Sequence, residues 1–203
     1  MSVRALLFSG RSTPWFIAAG ATGTTTAVVP TGYAANDLLV LVGTGDGTGV
    51  GDPAGWSIAL ASGGISPKMG VWYKISSASE SSVVLGGVSA VMLAYRSING
   101  TPLDVLGTNT TDTNTTISTT TLTTTVVNDL VLSIYAGEIS TGTGAWTAPA
   151  STNERVNQTG NGMVAGILIV DEIKAAAGAT TARTATCANS EKLSVFSVSF
   201  KNL

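Results

Sequence analysis

Apolar residues in this chain come in short runs and in period-two alternation, separated by polar or glycine-rich stretches. Residues 38–42 form a continuous apolar run bounded by turn residues, the pattern of a central strand covered on both faces. Residues 69–75 alternate, with Met69, Val71, Tyr73 and Ile75 on one face and Gly70, Trp72 and Lys74 on the other. Similar readings predict strands over 88–95, 130–135, 163–173 and 193–200, and Trp15-Phe16-Ile17 opens the series. No segment carries a sustained helical period. Residues 175–179 are alanine-rich, but their shortness and Gly178 predict a loop.

The pattern repeats. Asn36-Asp37-Leu38-Leu39-Val40 returns as Asn128-Asp129-Leu130-Val131-Leu132. Asn and Asp hydrogen-bond their own backbone and tolerate tight turns, so each copy reads as a corner that launches a strand. A Gly/Thr-rich loop with a tryptophan near its end follows each copy, Trp56 in one and Trp146 in the other. Self-similarity of this kind marks an internal duplication. Asp37 and Asp129 are accordingly expected to cap turns. The threonine tract 107–125 offers only Ile117 and Leu122 for burial and reads as an edge strand plus linker. The expectation is all-β: an eight-stranded antiparallel jelly-roll sandwich with two related four-strand halves. An N-terminal arm, 1–14, precedes one domain, 15–203, with halves 15–106 and 107–203. An immunoglobulin-like sandwich is the alternative, but its cysteine pair is missing.

Composition narrows the function. Charged residues are 11% of the 203, against roughly 25% in an average globular protein. Hydrophobic residues are 44%, yet no run approaches the ~20 residues of a spanning helix. No membrane partner is expected, and the apolar excess points to a core or to contacts between subunits. The net charge of −2 and the lack of a Lys/Arg cluster argue against nucleic acid. Histidine is absent, which removes the commonest general base and metal ligand. The single cysteine, Cys187, rules out an internal disulfide. The first residues offer too short an apolar stretch for a signal peptide, so synthesis and assembly are expected in a cytoplasm.

Candidate chemistry is sparse. The loop 43–53 carries Asp46 and Asp52, but no following glutamate completes a calcium loop, and a plain glycine-rich loop is the simpler reading. Asn109, Asn114 and Asn157 begin glycosylation-type tripeptides, which a threonine-rich tract produces by chance. A glycosidase needs two carboxylates ~5–10 Å apart. Glu138 with Glu172 is a conceivable pair, though nothing singles it out, and Asp171-Glu172 reads as a strand exit to solvent. No cofactor, metal site or enzymatic activity is expected. Trp15, Trp56, Trp72 and Trp146 divide between core packing, a sugar-stacking platform and subunit contacts. Trp15, Phe16, Trp56 and Trp146 are the candidate interface residues.

Asn36-Asp37-Leu38-Leu39-Val40, Gly55-Trp56, Val71-Trp72-Tyr73-Lys74 and Ala94-Tyr95-Arg96 follow one another through the first half. This series resembles a module of tailed-bacteriophage structural proteins, in which "GDLLV", "GW", "YYK" and "AYRG" elements recur at similar spacing. The second half follows it more loosely. Asn36 stands where the module usually has glycine, as does Ser97. The resemblance implies a virion jelly roll and brings no catalytic residue. The expected role is a capsid decoration or cement protein that binds the major capsid protein, or other virion proteins, as a homo-oligomer, a trimer before other symmetries. The expected location is the virion. The alternative is a tail or fibre-associated module that contacts host surface glycans.

Overall fold

The computed structural model describes residues 12–23, 25–45, 50–63, 66–87, 89–138, 144–159 and 166–203. Most of the expected N-terminal arm, Asp46, Val88 and residues 163–165 lie outside the described residues. Sixteen strands occur among those described, and no helix does. In chain order they are β1 (Trp15–Ala19), β2 (Thr26–Ala27), β3 (Leu38–Gly45), β4 (Ser57–Leu60), β5 (Lys68–Ile75), β6 (Val83–Val84), β7 (Ser89–Arg96) and β8 (Ile98–Leu106). Then follow β9 (Thr110–Ser118), β10 (Thr123–Thr124), β11 (Asp129–Gly137), β12 (Trp146–Thr147), β13 (Asn153–Gln158), β14 (Gly166–Lys174), β15 (Gly178–Ala179) and β16 (Thr184–Asn202).

Two antiparallel sheets dominate. The first has the order β1-β7-β3-β5-β4, the second β12-β16-β11-β14-β13, with β8 and β9 also paired to β16. Two two-stranded ribbons, β2-β6 and β10-β15, complete the set. Against the eight strands expected, sixteen lie among the described residues, and the pairing does not confirm a jelly roll. Greek-key strands follow the spatial order 4-1-2-3. Here β3 takes β7 and β5 as neighbours, and β4 hangs on the outer side of β5. β8, the last strand of the expected first half, pairs with β16 in the second sheet.

The duplication holds residue by residue. Leu38 faces Ile75 and Tyr95, as Leu130 faces Ile173 and Phe200. A bulge separates Ile58 from Leu60 on β4, and one separates Glu154 from Val156 on β13, at matching register positions. Both corner asparagines take the left-handed conformation, Asn36 at φ 72° and Asn128 at φ 57°. A short polar side chain makes that conformation affordable without glycine.

Alternation sorts each strand between two environments. Leu38, Val40 and Val42 of β3 point to the same core as Leu130, Leu132 and Ile134 of β11, so the two sheets face each other across it. Leu39 and Leu41 point to the opposite side, into a second cluster with Trp72, Met92 and Leu85. The outer face of the other sheet is covered likewise, by Tyr135, Trp146, Leu168 and Val195 with Ile117 and Cys187. Both sheets are thus buried on both faces. Gly70 shows how tight the outer packing is: a Cβ there would lie 2.1 Å from the Trp72 ring. Gly43, across from Gly70, is matched in the second half by Tyr135.

Candidate functional site

The Asn-Asp corners are structural. Asp37 is 2% exposed. Its carboxylate accepts the Ala34 N–H at 2.7 Å and a two-pronged pair of bonds from Arg96, at 2.8 and 2.7 Å. Asp129 is fully buried at the matching position. Its side chain interacts with Asp104, and Lys201, the register equivalent of Arg96, lies 4.0 Å from Asp104. Burial works to raise the Asp104 pKa, but the bonds from Asp129 and Thr125 and the Lys201 charge hold it below the ordinary value. The remaining motif residues also hold one another. Lys74 lies 5.1 Å over the Trp56 ring and pairs with Glu80, and Gly55 takes φ +79°.

Of the two aspartates of the first glycine-rich loop, only Asp52 lies among the described residues. Asp52 accepts the Trp72 Nε1–H at 2.9 Å. No group of three or more potential ligands occurs among the described residues. Glu138 and Glu172 are engaged separately, Glu138 with Ser66 and Lys192 and Glu172 with Arg183.

Of the candidate interface residues, Trp146 is 4% exposed and packs in the outer core at 6.1 Å from Tyr135. It offers no surface platform. Trp56 is half-buried against the other outer cluster. Trp15 and Phe16 come together in one cleft, where Trp15 is 50% exposed.

That cleft, of about 240 Å³, is lined by residues of both sheets. Its floor is polar. Asp171 is 3% exposed, where a solvent exit had been expected. Arg155 grips it through bonds of 2.7 and 3.0 Å, and the Asn153 amide donates to it at 3.0 Å. Burial opposes the Arg155 charge, but Asp171 holds its pKa above the ordinary value. The Arg155 guanidinium sits 4.5 Å from the centre of the Phe16 ring, and that ring meets Tyr95 edge-on at 5.4 Å. The Tyr95 hydroxyl is buried beside this pair. Burial, then the Asp171 charge, pushes its pKa well above the usual tyrosine value. It lies against the Asp171 carboxylate and the Arg155 guanidinium.

A second cleft, of about 320 Å³, is lined by Ser57, Tyr73, Leu103 and Lys201 with residues 100–102. The duplication relates the two. Ser57 faces Tyr73 as Asn153 faces Asp171, and Leu103 faces Phe200 as Phe16 faces Tyr95. Where the first cleft sets Tyr95 against Asp171, the second sets Phe200 against Tyr73, edge-on at 5.4 Å. Sequence reading found Trp15 and Phe16 but missed Tyr95, Asn153, Arg155 and Asp171. The signal for Asp171 was present: Ile167, Ile169, Asp171 and Ile173 alternate on the core-facing side of β14.

Comparison with family models, with curated proteins and with solved structures returns no match for this chain.

Proposed function

We propose that this chain is a non-enzymatic structural component of a bacteriophage virion, a decoration or cement protein that binds the major capsid protein and stabilises the head. The observation that carries this reading is how the motif residues are used. Asp37, Arg96, Trp56 and Lys74, four of the residues that carry the resemblance to phage structural modules, tie strands of one sheet together and line neither of the two clefts described above. A chain whose recognisable residues hold its shape fits a role in which shape is the product. Large apolar side chains left exposed, Val84 at 75%, Ile58 at 48% and Leu106 at 45%, fit burial against other subunits. Cementing then follows from mass action, because a protein that binds only the assembled lattice stabilises it. The virion, a homo-oligomer such as a trimer, and the jelly-roll family of folds belong to this proposal; its support at the level of fold is the pair of facing antiparallel sheets.

Immunogold electron microscopy of phage particles from the source culture, with antibody raised to this chain, tests the reading. Label over the head is expected. Label confined to tails rejects decoration, and unlabelled particles reject a virion role.

A second reading, a tail or fibre-associated module that contacts host glycans, is favoured by one feature: the half-exposed indole of Trp15 over a polar-floored cleft. Aromatic rings with one wet edge suit sugar faces.

A further inference from the structure

We propose that Asn99 is a site of spontaneous covalent modification, which cyclises onto the Gly100 nitrogen, loses ammonia and reopens as aspartate or isoaspartate. The inference is independent of the virion reading.

Three observations carry it. The first is the residue that follows. A side chain after asparagine crowds the nitrogen that must attack, and glycine has none. Among the described residues Asn99 is the one asparagine that precedes glycine; Asn161-Gly162 lies outside them. A Cβ at Gly100 would meet nothing within 4 Å, so its surroundings are open. The second is the backbone. Ile98 faces Asn202 and Leu103 faces Phe200, so residues 99–102 of β8 stand against Lys201 alone on β16. Residues of such a bulge are left out of the ladder, which frees the chain to close a ring. Gly100 and Thr101 are also exposed to the water that must reopen it. The third is the amide itself. Asn99 Oδ1 accepts the Thr101 N–H at 2.9 Å and the Thr101 hydroxyl at 3.0 Å. A backbone N–H can only donate, which identifies the accepting atom as the carbonyl oxygen. Negative charge develops on that oxygen when the Gly100 nitrogen attacks Cγ, and donors already aimed at it stabilise it.

The reaction needs only water and base. Base takes the Gly100 N–H proton, the nitrogen bonds to Asn99 Cγ, and the Cγ–Nδ2 bond breaks. The leaving nitrogen takes a proton from water and departs as ammonia. Water then adds to either carbonyl of the ring. A neutral amide becomes a carboxylate, which makes the net charge of −2 one unit more negative. The new charge arises beside the second cleft, where Gly100 and Thr101 are lining residues and Lys201 is the charged one.

Peptide mapping by mass spectrometry, with isoaspartyl methyltransferase labelling, tests this on the full chain aged in neutral and mildly alkaline buffer. Conversion at Asn99 is expected, and faster at the higher pH, because base removes the Gly100 proton. Gly100→Ala should slow it at least fivefold at unchanged melting temperature, since the added Cβ meets open space. Thr101→Val removes one donor and should slow it at least threefold, while Thr101→Ser keeps the hydroxyl and stays within twofold. Ageing the same chain in urea separates the fold from the dipeptide: conversion at Asn99 should be no faster there than in the folded protein. An Asn99 that stays intact while Asn161 converts overturns the site. A rate that rises on unfolding, or in Thr101→Val, shows that the Thr101 bonds lock the amide and overturns the activation.

Discussion

At the scale of single residues, the buried corner carboxylate of Asp37 is held by a specific geometry. The Asp37 carboxylate closes a turn on the Ala34 N–H and anchors Arg96 across the sheet. Asp37→Ala strips the acceptor from that turn, and a lost hydrogen bond of this kind costs about 1–3 kcal/mol. Urea denaturation should show a lower midpoint at unchanged slope; an unchanged midpoint would remove Asp37 from the corner's supports. Gly70→Ala tests the opposite kind of constraint. The Trp72 ring is fully buried and cannot swing away from a Cβ placed 2.1 Å from it. Overpacking of this sort costs ~1–3 kcal/mol, and near-ultraviolet circular dichroism should lose part of its tryptophan signal. The Asn-Asp corners were legible because their residue types have few other uses before an apolar run. Asp171 was not, although its place in the alternation was plain. An acid flanked by Val170 and Glu172 reads as a strand end when its counter-ion, Arg155, lies on another strand.

At the scale of elements, strands with clear periodicity were visible and the smallest ones were not. The runs that became β3, β5, β7, β11 and β14 carry enough alternation to be read. The ribbons β2-β6 and β10-β15 are built of two-residue strands, which hold no period. The threonine tract did become an edge strand, β9, paired only to β16. The last strand was read from residue 193, but β16 starts at Thr184. Its leading residues alternate weakly between buried Ala185 and Cys187 and exposed neighbours. The matching bulges on β4 and β13 were invisible in the sequence, because an extra residue only shows against a partner's register. Both lie on edge strands, where a bulge twists the exposed backbone away from foreign strands. Deleting Ala59 should straighten β4 and expose a flat edge beside Ile58. Sedimentation velocity is expected to show larger species than the parent protein at equal concentration. An unchanged distribution would mean the bulge does not guard the edge.

At the scale of the whole molecule, stability depends on the two sheets being together. The core between them draws Val40, Val71 and Leu93 from one and Leu132, Ile169 and Val198 from the other. Residues 15–96 expressed alone should lack a cooperative thermal transition, because that core face would meet water; a sharp transition would show the half to be self-sufficient. Acid should act on the molecule through a few carboxylates. Burial works to raise the Glu80 pKa, but Lys74 and Ser77 prevail and hold it low, and Asp104 is also held low. Groups depressed in the folded state stabilise above their unfolded values, near 4, and that stability is lost as pH falls through their folded values. Glu191 runs the other way: burial and the Glu138 charge raise its pKa, so its contribution is lost as pH rises through the folded value. Melting temperature should therefore fall on acidification below about pH 4, and Glu80→Gln should flatten that fall. The matched registers, bulges and clefts also speak to descent. Exchanging the sheets exchanges Tyr73 and Phe200 for Asp171 and Tyr95, the relation a two-fold axis imposes on identical subunits. A symmetric pair of identical halves must carry two identical clefts, and any change to one is made twice. Joining the halves in one chain lifts that constraint: one cleft can stay a packing joint while the other takes on new side chains.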